Sequence, residues 1–191
     1  MLAGGGGRRL GGVDKPALRI GDRTLLDVAL IAVTGVPTVV VGPPRQVPPG
    51  VVVVREDPPG GGPAAAVVAG LGALPTDLPP GAPVALLAAD LPAIDAATID
   101  RLCASLADAA ATHDGAVLVN ARGRPQWLLG VWRLGPLIAA GRRRADWPGR
   151  PLRELLAPLR PAEVSGHEAA TADVDTPDDL RRLGEVNGER L

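Results

Sequence analysis

Leu2-Ala3-Gly4-Gly5-Gly6-Gly7-Arg8-Arg9-Leu10-Gly11-Gly12-Val13-Asp14-Lys15 is the stretch that decides how the whole chain is interpreted. Glycine runs are costly in backbone entropy, so a folded protein keeps them where side chains would obstruct a close approach. The usual reason is that backbone N–H groups surround an anion, most often phosphate. Arg8, Arg9 and Lys15 add positive charge that suits several phosphate oxygens. The stretch therefore predicts a phosphate-binding loop.

Three other interpretations of this stretch fit less well. The dinucleotide-binding fingerprint needs glycines at i, i+2 and i+5, and no register of the glycines supplies them. The P-loop needs Gly-Lys-Ser/Thr, whereas Lys15 follows Asp14. A flexible glycine-rich tail is the third alternative. Of the 20 lysines and arginines only Lys15 is a lysine, which indicates that a compact ammonium is required inside this stretch.

Length and composition favour one enzyme-sized domain over residues 1–191. A chain of this length buries roughly 70 % of its unfolded surface. There is no Phe or Tyr, and three tryptophans supply all the aromatic area, so base stacking on an aromatic platform is poorly supported. The net charge of −1 provides no basic field for a polyanion. We therefore expect no nucleic-acid partner.

The number of cysteines and the length of the apolar runs further limit the kind of protein that this chain can be. Cys103 is the only cysteine, which excludes an internal disulfide and a cysteine metal cluster, and its Ala-rich helical context favours a small core residue over a nucleophile. No apolar run reaches the length of about 18 residues that spans a membrane, and no secretion signal is recognisable. We predict a cytoplasmic protein with no membrane partner, either a monomer or a weak homo-oligomer.

The order of elements along the chain predicts an α/β fold. Apolar, β-branched runs read as strands buried on both faces, and they alternate with helical patterns, which is typical of a doubly wound parallel sheet. A short extended piece is predicted at 17–20 and a further one at 127–133. The predicted strands are 38–41, 51–54, 84–88 and 116–119. The predicted helices are 25–33 with Thr24 as N-cap, 64–74, 96–112 with Asp95 as N-cap, 134–140, 151–156 and 177–186.

In such sheets ligands bind beyond the carboxyl ends of the strands. Three distinctive segments each follow a predicted strand, namely 4–15, 57–63 and 90–92. We therefore expect these three loops to meet at one edge of the sheet.

The first stretch resembles the signature L-A-G-G-x-x-x-R-x-G-x-D-K of the MobA-like nucleotidyltransferases, and most of all that of the molybdenum cofactor guanylyltransferases. The positions on the pattern are Leu2, Ala3, Gly4, Gly5, Arg9, Gly11, Asp14 and Lys15. The resemblance implies a three-layer, Rossmann-like, mainly parallel sheet of the nucleotide-diphospho-sugar transferase type. That family has a full first strand before L-A-G-G, whereas only Met1 precedes Leu2 here, so a truncated first strand is expected.

The resemblance implies phosphate, metal and nucleotide contacts for particular side chains. Lys15 and Arg9 would neutralise the triphosphate. Asp90-Leu91-Pro92 matches the family's D-x-P, and an Asp directly after a buried strand suits Mg²⁺, which binds one or two carboxylates with phosphate and water. Asp57 falls on a family aspartate that contacts nucleotide. A turn or cap role is the alternative for Asp57 and Asp90.

Two further segments carry weaker resemblances. Residues 60–64 resemble the family's P-G-P-L-A-G loop, with a flexible connector as the alternative. Residues 173–180 resemble N-V-N-T-P-E-D-L, with Asp173 and Asp175 in place of the asparagines. Asp175 is therefore the second candidate metal ligand, with N-cap chemistry alone as the alternative. Gly42 lies on the nucleotide side after strand 38–41, where guanylyltransferases have an Asn on guanine, so guanine specificity is not secured.

The reaction that the resemblance implies is the transfer of GMP from GTP to a molybdopterin-type acceptor with Mg²⁺, giving the guanine dinucleotide cofactor and pyrophosphate. Residues 123–126 resemble the family's acceptor-facing segment, and Arg142-Arg143-Arg144 is either an acceptor-phosphate site or a solvated basic turn. The alternatives are transfer of a cytidylyl group, a sugar or polyol phosphate as acceptor, or nucleotide binding without catalysis.

Overall fold

The first three residues form a short strand at the centre of the sheet. In this computed structural model, which describes residues 1–4, 13–109, 112–166 and 179, Leu2 pairs in parallel with both Val41 and Ala88. The Leu2 N–H donates to the Leu87 carbonyl at 2.7 Å, and the Ala3 N–H donates to the Val41 carbonyl at 2.8 Å. The truncated first strand is thus confirmed, and it joins two halves of the sheet that would otherwise not be hydrogen-bonded.

The remaining elements follow the predicted alternation closely. The strands are β1 (Arg19–Ile20), β2 (Arg23–Thr24), β3 (Thr38–Val41), β4 (Val51–Val54), β5 (Pro83–Leu87), β6 (Gly115–Val119), β7 (Pro125–Arg133) and β8 (Pro161–Ser165). The helices are α1 (Leu25–Ile31), α2 (Gly62–Gly72), α3 (Ala96–Asp108), α4 (Leu134–Arg142) and α5 (Leu152–Leu156). A short 3₁₀ helix spans Lys15–Ala17.

Strand order places the loops that carry the motifs at one edge. The order is β4, β3, residues 1–3, β5, β7, β6 and β8, with β1 and β2 forming a separate small hairpin. All strands of the large sheet run parallel except β7, which is antiparallel to both β5 and β6. The carboxyl ends of β3, β4, β5 and β6 therefore lie at the same edge, as the α/β prediction requires.

Helices cover both faces of the sheet and make three layers. Leu86 and Val117 point to the side where α2, α4 and α5 pack, whereas Leu87 and Ala116 point to the side of α1 and α3. Trp132 is fully buried on the first side, and the partly buried Trp127 stacks on it with ring centroids 6.3 Å apart. Trp147 is buried on the same side, so two of the three tryptophans lie in the core and the third packs against it.

Some local predictions differ from the structure. The extended piece predicted at 17–20 is reduced to β1, because Ala17 ends the 3₁₀ helix. The third predicted helix ends at Asp108 rather than at 112. β8 was not predicted, because Pro-Ala-Glu-Val-Ser lacks an apolar run; it lies at the edge of the sheet and is half exposed, so the sequence need not be apolar there. Of the predicted helix 177–186 only Asp179 is among the described residues, and it is helical.

At the amino end of the first strand the sheet contains an apolar cavity of about 470 Å³. It lies between the beginnings of β3 and β5, and Pro37, Val39, Val67 and Val84 are among its lining residues. Met1 also lines this space, and its ammonium donates to the Val39 carbonyl at 2.8 Å. Burial lowers the pKa of that ammonium from 8.0 to about 6. Within the described residues, no helix combines the length and apolar character needed to cross a bilayer.

Candidate functional site

The glycine-rich stretch begins in close contact with the end of β3. A Cβ atom on Gly42 would lie 2.6 Å from the Ala3 carbonyl oxygen and 3.1 Å from the Gly4 nitrogen, so a larger residue would displace that backbone. The Gly42 N–H donates to the Val54 carbonyl at 2.9 Å, which holds the position from the other side. The structure therefore gives a packing reason for Gly42, while its contact with nucleotide stays a prediction.

Lys15 and Asp90 face each other at the carboxyl edge of the sheet. The Lys15 Nζ lies 3.6 Å from the Asp90 Oδ2, and the two side chains are 18 % and 25 % exposed. Lys15 begins the 3₁₀ helix, which fixes its backbone, since the Ala17 N–H donates to the Asp14 carbonyl at 2.9 Å. Asp90 follows Ala89, which is anchored to the first strand. The two residues that the sequence assigned to phosphate and metal are thus brought together.

The opposite charges of Lys15 and Asp90 match those of a complex between a metal ion and a triphosphate. The ammonium and the carboxylate neutralise each other, and a bound complex offers phosphate oxygens to Lys15 and a cation to Asp90. Mg²⁺ takes one or two carboxylates together with phosphate and water, and one accessible carboxylate fits that demand. Across 1–4, 13–109 and 112–166 no cluster of three acidic, His or Cys side chains occurs, so Asp90 would be the protein ligand from this part.

Several of the predicted site residues lie outside the described residues. They include Gly5, Arg8, Arg9, Asp173 and Asp175. Their roles in phosphate binding and metal binding therefore remain predictions. Leu2 and Ala3 are described, and both contribute backbone hydrogen bonds to the central strand.

The loop after β4 is held by a carboxylate that the sequence analysis did not identify. Glu56 is 9 % exposed, and its Oε1 accepts from the Gly60 N–H at 2.9 Å. Gly60 and Gly62 have φ values of +80° and +87°, which favour glycine. The residues 60–62 are therefore a shaped loop rather than a flexible connector. The pattern of apolar residues in the sequence does not identify Glu56, because a buried carboxylate is recognisable only from the group that it binds.

Asp57 lies at the same edge but away from the Lys15–Asp90 pair. Its side chain is exposed, directly beyond β4. β4 and β5 are three strand positions apart, which is about 14 Å at the usual spacing between strands. Asp57 and Asp90 thus follow well-separated strands at this edge, and their contacts with nucleotide and metal stay predictions.

The turn between β6 and β7 lies at this edge as well, because β6 runs parallel to β5. The Asn120 Oδ1 accepts from the N–H groups of Arg122 and Arg124, both at 3.0 Å. Gly123 has a φ of +69°. This turn carries the predicted acceptor-facing segment 123–126 and leaves Arg124 exposed.

The basic run after α4 divides into two parts. Arg144 pairs with Asp146 at 2.8 Å and with Glu154, and it lies 5.5 Å above the Trp147 ring. Arg144 is therefore engaged within the protein, which weakens its assignment to an acceptor phosphate. Arg142 and Arg143 are exposed.

Cys103 behaves as the sequence analysis predicts. It is partly buried on α3 against the core, and burial, together with the charge of Asp100, raises the pKa of its thiol. A thiol with a raised pKa is a poor nucleophile. Cys103 therefore has a packing role.

Arg45, in the proline-rich loop after β3, also reaches the site. Its guanidinium donates to the Ala3 carbonyl at 2.7 Å and lies 3.4 Å from the Asp14 carboxylate. The sequence analysis assigned no role to this arginine, because a lone arginine among prolines matches no motif.

Comparison with known proteins places this site in a family. A family model described as the MobA-like NTP transferase domain matches residues 1–164. No curated protein sequence matches the chain significantly.

Solved structures share the fold at low sequence identity. Molybdopterin-guanine dinucleotide biosynthesis protein A from Archaeoglobus fulgidus superposes with a TM-score of 0.71 at 20% identity, covering 98% of this chain and 96% of that chain. Rv0371c from Mycobacterium tuberculosis gives 0.68 at 24%, with 96% and 95% covered. A 2-C-methyl-D-erythritol 4-phosphate cytidylyltransferase from Thermus thermophilus gives 0.66 at 20%, with 97% and 96% covered.

Proposed function

Because the chain belongs to the family of MobA-like NTP transferase domains and is a nucleotidyltransferase of that family, we propose that it transfers GMP from GTP to a molybdopterin-type acceptor. The products are the guanine dinucleotide form of the cofactor and pyrophosphate. The observation that carries the proposal is the Lys15–Asp90 pair, 3.6 Å apart at the carboxyl edge of the sheet.

Each end of the reaction has a candidate group in this chain. Lys15 and Arg9 bind the triphosphate oxygens, and the glycine amides from Gly4 onward surround them. An oxygen of the acceptor's phosphate attacks the α-phosphorus, the bond from that phosphorus to the bridging oxygen breaks, and pyrophosphate leaves with the negative charge. Holding both reactants in line is the main contribution that a protein makes to such a transfer.

Asp90 is the residue that would hold Mg²⁺, with Asp175 as the second candidate. Held there, the ion would supply positive charge for the departing pyrophosphate. Lys15, 3.6 Å from the Asp90 carboxylate, orients that carboxylate. Asp57 and the shaped loop 60–62 are assigned to the ribose and base end of the nucleotide.

Cytidylyl transfer is the second candidate, and Gly42 is the observation that favours it. Guanylyltransferases carry an Asn that contacts guanine at this place, whereas a side chain on Gly42 would collide with Ala3. A cytidylyltransferase from Thermus thermophilus has the same fold, which supports cytosine as the alternative base.

A two-stage experiment tests the proposal. First, melting temperatures are recorded with Mg²⁺ and each of GTP, CTP, ATP and UTP, because a ligand that binds the native state raises the melting temperature. GTP is expected to give the largest rise, and a larger rise with CTP selects the second candidate. Second, pyrophosphate release is measured with the best nucleotide and molybdopterin cofactor. Binding without any release would instead indicate a nucleotide-binding protein without catalysis.

A further inference from the structure

Arg45 connects the two ends of the glycine-rich stretch. One of its terminal nitrogens donates to the Ala3 carbonyl at 2.7 Å, and both terminal nitrogens lie 3.4 Å from the Asp14 carboxylate oxygens. Its Nε donates to the Pro43 carbonyl at 3.3 Å, which orients the side chain. Only 10 % of the side chain is exposed. This is an ordered guanidinium with partners on three segments.

Ala3 and Asp14, the partners of Arg45, flank the run of glycines and arginines in the sequence. Ala3 directly precedes Gly4, and Asp14 directly precedes Lys15. A planar guanidinium with five N–H donors can serve a carbonyl and a carboxylate at once, whereas an ammonium acts as a point charge. One side chain therefore fixes the spacing between the phosphate-binding backbone and the lysine.

Arg45 also compensates a charge that opposes substrate binding. Asp14 is adjacent in sequence to Lys15, and its carboxylate would repel phosphate if it had no cation beside it. The Arg45 guanidinium supplies that cation, 3.4 Å from the Asp14 carboxylate. Removing Arg45 therefore breaks the link between Ala3 and Asp14 and leaves the Asp14 charge uncompensated.

We propose that Arg45 is a positioning residue for Lys15, acting through Ala3 and through Asp14, the residue before Lys15, so that the Lys15 ammonium meets the triphosphate. This inference rests on the proposed nucleotidyltransferase function. It assigns Arg45 no contact with the reacting atoms.

The test compares nucleotide affinity among folded variants. Binding of GTP and of CTP, each with Mg²⁺, is measured by calorimetry below the melting temperature of every variant. Arg45→Ala is expected to weaken binding about 10-fold or more, since a charge-assisted contact is lost and a carboxylate is left unpaired. Arg45→Lys is expected to melt close to the wild type and still bind several-fold more weakly. Arg160→Ala, an exposed arginine at the opposite edge of the sheet, serves as the control and is expected to bind normally.

A double variant separates positioning from general destabilisation. Arg45→Ala combined with Asp14→Asn removes the uncompensated charge, so it is expected to bind several-fold more tightly than Arg45→Ala alone. Wild-type affinity in both Arg45→Ala and Arg45→Lys would overturn the proposal while leaving the proposed function intact. If the wild type bound none of the four nucleoside triphosphates, the proposed function would fail and Arg45 would lose its role with it.

Discussion

The two ends of the short first strand have opposite surroundings. At its carboxyl end, Ala3 and Gly4 lie against Gly42, and Arg45 donates to the Ala3 carbonyl. Arg45 also pairs with Asp14 there, and Lys15 pairs with Asp90. At its amino end lies an apolar cavity of about 470 Å³, with the buried Met1 ammonium among its surroundings. The comparison teaches that charged partners gather at the carboxyl end of this strand, whereas apolar side chains line the space at its amino end.

Asp90→Asn is the substitution at the carboxyl end of the first strand from which we expect the largest effect. The amide keeps the shape and hydrogen-bonding capacity of the carboxylate but removes its charge, so turnover is expected to fall on the order of 100-fold or more while nucleotide still binds. Steady-state pyrophosphate release across a magnesium titration measures this. Asp57→Asn is the matched control and is expected to raise KM more than it lowers kcat. Asp175→Asn should be tolerated; wild-type turnover in Asp90→Asn would show that the metal is held elsewhere.

Filling the amino end tests whether the cavity is simply unused strand space. About six apolar residues added before Met1, the length of an ordinary strand, would pair with β3 and β5 and bury their side chains on both faces. We expect the free energy of unfolding to rise by about 3 kcal/mol after the ordering entropy is subtracted. Urea unfolding is the measurement, with a Gly/Ser extension of equal length as the control. No difference between the two extensions would mean that the cavity does not accept a strand.

The buried ammonium makes stability depend on pH in the same region. In a chain that begins at Met1, burial lowers the pKa of the α-amino group from 8.0 to about 6, so the unfolded chain binds more protons between these values. Stability is therefore fully present above pH 8 and is lost as the pH falls toward 6, by about 2 kcal/mol. Unfolding free energies at pH 6 and pH 8 measure the difference. The apolar extension removes the ammonium and should flatten this step; an unchanged step would assign it to other groups.

Gly42→Ala changes a residue beside the carboxyl end of the first strand, and we expect it to have a smaller effect on stability. The new Cβ would lie 2.6 Å from the Ala3 carbonyl oxygen, so the first strand or β3 must shift. Overpacking of this kind destabilises by about 1–2 kcal/mol. Thermal unfolding checks the value, and Gly72→Ala, whose Cβ meets open space, is the control. A Gly42→Ala variant as stable as the wild type would contradict the close approach.

The sequence was sufficient for the parts of the fold that rest on periodic apolar runs. β3 and β4 were predicted at their observed bounds, and Thr24 and Asp95 cap α1 and α3 as predicted. β8 was missed because an edge strand needs little apolar surface, and its pairing with β6 is decided by tertiary contacts.

The residues of the candidate site were likewise predictable only in part from the sequence. Lys15 and Asp90 were recognisable because each belongs to a motif, and the structure brings them to 3.6 Å. Arg45 and Glu56 were not recognisable, since their importance comes from partners 42 and 4 residues away rather than from any local pattern. The charge pairs that shape a binding loop are a property of the assembled chain.

Nucleotide binding by Lys15→Ala tests the central claim most directly. Loss of the ammonium leaves phosphate charge without its partner and is expected to weaken triphosphate binding by about 2 kcal/mol, roughly 30-fold in Kd. Lys15→Arg should restore only part of this, because a guanidinium fork does not fit the position of an ammonium. Calorimetric titration with GTP and Mg²⁺ gives the answer in one experiment. A Kd about 30-fold higher in Lys15→Ala, with partial recovery in Lys15→Arg, is the predicted result; equal affinity in wild type and Lys15→Ala would contradict the phosphate-binding loop.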